Sequence, residues 1–130
     1  MPEALYGISP VLVERFTKVF AAFVAAVKDA VVDAAQKPET AESPALRSWQ
    51  TKALPLLEKG NASIQAAAAA FEQGDAQPIL AQAEDKRGLA KDLDGFPLTF
   101  AGPDHVEKLD SLETAVVTAA WQICSAAGIP

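Results

Sequence analysis

Apolar residues recur every three or four positions through most of this chain, a spacing that places them on one side of successive helices. The first stripe runs Leu12, Phe16, Phe20, Phe23, Val27, Ala30 and Ala34. Ser9-Pro10 supplies its start, because a serine hydroxyl accepts from the free first-turn amides and proline suits the first helical position. Glu14 with Lys18, and Asp33 with Lys37, are i,i+4 pairs suited to the outer side, and Pro38 stops the helix. After a polar linker, Ser43-Pro44 repeats the start signal. The second stripe is Leu46, Trp49, Ala53, Leu57, Ile64, Ala67 and Phe71, and it keeps its phase past Pro55 and Gly60-Asn61. Pro55 cannot donate to the carbonyl of Thr51 and crowds the preceding turn. The second helix is therefore expected to be kinked or split near Pro55 or Gly60, with a nearly continuous element favoured by the unbroken stripe.

Gly74-Asp75 closes that segment, and Asp75 can cap a short third helix carrying Ile79, Leu80, Ala83, Ala90 and Leu93, interrupted by Gly88. The loop 94–102 holds Phe96, Leu98 and Phe100, which are costly to leave in water. It is expected to cap the end that the short third helix leaves uncovered. Gly102-Pro103-Asp104 opens the last helix, whose core face is Val106, Leu109, Leu112, Val116, Ala119, Ala120, Ile123 and Ala127. These segments and their short connections predict an all-α protein, an antiparallel up-down four-helix bundle. The expected organisation is a single domain over residues 1–130, with residues 1–8 as an N-terminal tail and 94–102 as an apolar capping loop.

Composition narrows the function classes. Half of the 130 residues are apolar and 22% are charged, which is globular rather than disordered material. The net charge of −6 is uneven: residues 1–65 hold seven acids and seven bases, residues 66–130 ten acids and four bases. No basic stripe is present for phosphates, so nucleic acid is disfavoured as a partner, whereas a basic protein is compatible with the acidic half. The one cysteine, Cys124, allows no internal disulfide and fits a reducing compartment. The start Met1-Pro2-Glu3-Ala4 has no basic segment before an apolar run, and no stretch reaches the ~20 apolar residues of a membrane span, so a cytoplasmic protein is expected.

Catalytic constellations fail for want of residues. The one histidine, His105, and Cys124 sit about 28 Å apart along one helix, too far for a cysteine–histidine pair. One histidine and one cysteine do not make a common zinc set, and no Glu-x-x-His motif of the di-iron bundles occurs. Asp92-Leu93-Asp94-Gly95 lacks the glutamate that a calcium loop requires at its last position. The carboxylate pairs Glu84-Asp85, Asp92 with Asp94, and Asp110 with Glu113 read as solvated faces, His105 as a solvated residue, and Cys124 as a small buried hydrophobe. No enzyme, cofactor or metal site is expected.

One pattern does suggest function. Val19–Val27, Ala62–Phe71 and Thr114–Ala127 carry no ionised side chain anywhere around the helix. Depletion of charge marks the cores of protein interfaces. The chain is therefore expected to be a protein–protein interaction or assembly module, binding a protein partner or itself. Phe23, Val24, Ala25, Val117, Thr118 and Trp121 are the candidate contacts. An alternative is a carrier or sensor of a small hydrophobic ligand held among Phe16, Phe20, Trp49, Phe71 and Trp121. A third reading is an acidic inhibitor or chaperone of a basic protein.

Overall fold

The structure is a computed structural model that describes residues 7–130. Among these residues there are helices and no strand. Helix α1 spans Pro10–Ala35, and the Ser9 hydroxyl accepts from the Val11 amide at 3.2 Å. Its far end is closed by Thr40, whose hydroxyl donates to the carbonyl of Ala34 at 2.6 Å. Helix α2, Pro44–Ser48, starts the same way, with the Ser43 hydroxyl accepting from the Leu46 amide. It continues through a π-helical segment, Trp49–Ala53, into α3, Leu54–Glu72.

The π segment shows how the chain absorbs Pro55. The Leu54 amide donates to the carbonyl of Trp49, five residues back instead of four. Widening the turn just before the proline relieves crowding by its ring. Gly60-Asn61 does not break the helix, so α2, the π segment and α3 form one uninterrupted helical run. All seven residues of the second stripe, from Leu46 to Phe71, are buried.

Helix α4 spans Gln77–Lys86, preceded by Asp75, whose carboxylate accepts from the Gln77 amide at 3.1 Å. A break at Arg87-Gly88 separates it from the single turn of α5, Leu89–Asp92. Leu89 is buried and Ala90 is exposed, which reverses the expectation for Ala90. Helix α6 spans Pro103–Ala126. Its core face begins at Leu109, because Val106, in the first turn, is 37% exposed.

Contacts between the helices link α1 to α3 and α6, and α4 to the same two. Arg15 near the start of α1 donates to Gln122 near the end of α6, while Asp33 near the end of α1 faces His105 in the first turns of α6. These two long helices therefore run in opposite directions. Because α1 is covered on two sides, its buried arc is wider than one stripe: Val24, Ala26 and Val31 are buried beside Phe16, Phe20, Phe23 and Val27. Burial of each of these phenylalanines stabilises the fold by about 1.5–3 kcal/mol. The expected tail at 1–8 lies outside the described residues as far as position 6. Ile8 is fully buried, so it belongs to the core.

Candidate functional site

The six candidate contact residues separate into three environments. Phe23 and Val24 are 1% and 6% exposed, so they are core residues and present no surface. Their placement on an interface is corrected by the double coverage of α1. Ala25 and Thr118 are exposed on the outer sides of the two neighbouring helices. Taking the Arg15–Gln122 and Asp33–His105 contacts as level, they differ in height by roughly 8 Å. Val117 is half-buried against the core. Trp121 is 47% exposed and turns the other way, toward α4, where the Arg87 guanidinium lies 4.4 Å from the centre of its ring. Arg87 also donates to the backbone oxygen of Pro130 at 2.8 Å.

The outer sides of α1 and α6 are the longest charge-poor surface. Val19–Val27 and Thr114–Ala126 contain no ionisable carboxylate, lysine or arginine, and the two stretches overlap in height. Val11 and Val32, 61% and 54% exposed, lie on the same heptad line of α1 as Ala25, with the exposed Lys18 between Val11 and Ala25. Beside this face, on the α3 side of α1, Val13, Thr17, Ala68 and Phe71 line a groove of about 680 Å³, edged by Glu14, Lys18 and Glu72.

The five aromatics proposed to hold a ligand do not share one cavity. Phe20 borders a cleft between α3 and α4, Trp49 a small cavity under the loop 94–102, and Phe71 the groove between α1 and α3. Phe16 is fully buried in the core, and Trp121 lies on the surface.

The Trp49 site explains the apolar loop. The indole N–H donates to the carbonyls of Phe96 and Pro97 at 3.2 and 3.1 Å, and the ring meets Phe96 and Phe100 edge-on at 5.9 and 6.5 Å. A buried indole needs an acceptor. The loop supplies two, and Trp49 in turn covers the loop's phenylalanines. The adjoining cavity, about 80 Å³, is also lined by Asp110 and Glu113. Glu113 is therefore not the freely solvated acid that the sequence suggests. Burial raises its pKa above the ordinary value, and the nearby Asp110 charge raises it further.

Two other singled-out residues have definite surroundings. His105 is half-buried, with Nε2 3.4 Å from the Asp33 carboxylate, so it bridges α6 and α1 rather than standing free. Asp33 is held below the usual carboxylate range chiefly by its hydrogen bond from Lys37. Cys124 is fully buried, and burial pushes its thiol up, away from the reactive thiolate.

Sequence reasoning missed Lys86. It is the one charged residue buried among the described residues, with 11% of its side chain exposed. Its Nζ lies 2.6 Å from the Asp85 carboxylate and 5.6 Å from the centre of the Phe20 ring. Gly60 makes room for it: a Cβ there would stand 3.4 Å from Phe20 Cζ and 3.6 Å from Lys86 Cε. The available signal was Gly60 inside an unbroken stripe, which marks close approach by another element. Nothing in the sequence tells which element.

Among the described residues, no three His, Cys, Asp or Glu side chains gather as a metal site would require, and no helix is long and apolar enough to cross a membrane. Comparison of the chain with protein-family models, with curated proteins and with solved structures finds no match.

Proposed function

We propose that this chain is a non-enzymatic assembly module, an up-down four-helix bundle that associates with a second copy of itself through the outer sides of α1 and α6. One observation carries the reading: two long neighbouring helices expose uncharged surface at overlapping heights. A helix facing only water ordinarily shows charge on its outer side every turn or two. Here Ala22, Ala25, Thr114, Thr118, Gln122 and Ser125 are exposed and none is ionised. Small residues let a second pair of helices approach closely, with Val32 adding apolar area at one end of α1 and Arg15 and Lys18 bounding the face at the other.

The test is light scattering on a sizing column across about a hundredfold dilution, because association follows mass action. The wild-type chain is expected to run as a dimer or larger. Thr118→Lys and Ala25→Lys each place a charge on an exposed, helix-compatible position, so helicity by circular dichroism stays unchanged while the assembly dissociates. A monomer at every concentration would sink the reading. Assemblies that tolerate both lysines would sink it equally.

A further inference from the structure

The cleft around Lys86 lies between α3, α4 and α5, with Phe20 of α1 at its floor, away from the outer face of α1 and α6. We infer that it binds a small organic anion with an apolar body, of the class of a medium-length alkyl carboxylate, whose head group pairs with the Lys86 ammonium.

Lysine is almost never buried unless its charge is paired. The pairing of Lys86 is lopsided. Its partner Asp85 is 64% exposed while Lys86 is 11% exposed, so the acid belongs mostly to water and the ammonium to the protein. An ammonium carries three donors, and the hydrogen bond to Asp85 uses one of them. Lys86 lines a cleft of about 330 Å³, within the range of small-molecule sites.

The lining matches a molecule with two ends. Leu56, 56% exposed, supplies apolar wall surface, above Phe20, Leu57, Leu89 and Leu93, which are buried behind it. Ser63 and Gln82 add neutral hydrogen-bonding groups at the sides. An alkyl chain resting on the floor puts its carboxylate beside Lys86, where low local polarity strengthens the charge-assisted hydrogen bond. Asp85, already largely in water, can turn outward and yield its place. Lys59 and Asp92 on the rim offset one another in charge. Gly60 forms part of the wall, where a Cβ would stand in ordinary contact with Phe20 and Lys86.

The probes are sodium octanoate and the uncharged 1-octanol, titrated into the full chain and followed by amide shifts in nuclear magnetic resonance. Octanoate is expected to bind saturably, shifting Gly60, Ser63, Gln82 and Lys86, and to bind at least about tenfold more tightly than octanol. Lys86→Met keeps the apolar stem and removes the charge, so octanoate binding should fall to the level of octanol. Ser63→Leu fills the cleft from a half-exposed position and should abolish binding of both while the protein stays folded, which decides the matter if Lys86→Met does not fold. Equal binding of octanoate and octanol, shifts centred elsewhere, or unchanged octanoate binding in either folded variant would overturn the assignment. The oligomeric state is measured separately, so failure of one proposal leaves the other standing.

Discussion

The two tryptophans mark the contrast between the two ends of this molecule. Trp49 is 2% exposed, its ring flanked edge-on by two phenylalanines and its N–H shared between two loop carbonyls. Trp121 is 47% exposed, with an arginine over one face. The same side chain is a structural anchor at one end and a surface group at the other. The difference comes from what must be covered. At the Trp49 end, α5 is a single turn and the loop 94–102 has to bring its own apolar residues to close the structure. At the Trp121 end, the long helices α3 and α6 already cover one another's neighbours, so an indole on the α4 side of α6 is left half exposed beside Arg87.

The sharpest way to break this contrast is to truncate both rings. Trp49→Ala should lose about 3–5 kcal/mol of unfolding free energy in urea, through the cavity it leaves and the loop carbonyls it abandons. Trp121→Ala should change stability by under about 1 kcal/mol, since an exposed ring with a surface cation over it contributes little. Comparable losses from the two variants would show that the two ends are held in the same way. Fluorescence gives a milder version of the same test. Trp121→Phe leaves only Trp49, and the remaining emission should be blue-shifted and resistant to iodide, whereas Trp49→Phe leaves a quenchable, red-shifted emission.

The smallest expected effect concerns Glu113, beside the Trp49 cavity. Its folded-state pKa is raised by burial and by Asp110, so ionisation opposes folding. Below the ordinary carboxyl pKa the group is protonated in both states and imposes no penalty. The penalty appears as pH rises from there through the raised folded value, and it is complete above that value. Glu113→Gln should therefore be slightly more stable than wild type at pH 7, by less than about 1 kcal/mol because the group is partly solvated, with the advantage vanishing near pH 3. A variant less stable than wild type at pH 7 would mean that the carboxylate is held by a favourable contact instead.

The local signals in the sequence were faithful wherever one helix decided its own fate. Ser9 and Ser43 cap as their position before a proline requires, and the stripe from Leu46 to Phe71 is buried throughout despite Pro55. Wherever a residue's fate depended on how many neighbours its helix has, the sequence misled. Phe23 was legible as a stripe residue, yet it was also read with Val24 as surface, because a charge-free stretch looks alike whether it is covered on two sides or exposed on one. Ala90 was placed in the core by reading one helix through Gly88, whereas α5 begins at Leu89 and buries that residue instead, with Leu93 buried as expected. Asp110 and Glu113 looked like any solvated acidic pair until the loop 94–102 folded against them.

The sequence alone determined that this chain is helical, where its long helices begin, and the stripe buried along the run from α2 to α3, since capping chemistry and periodic hydrophobicity act within a few residues of one another. Tertiary structure alone decided the width of the buried arc on α1, the enclosure of the Lys86 ammonium between Gly60 and Phe20, and the opposite fates of Trp49 and Trp121. Those outcomes depend on atoms from helices distant in the chain meeting at one place, and no spacing within a single helix encodes which neighbour arrives.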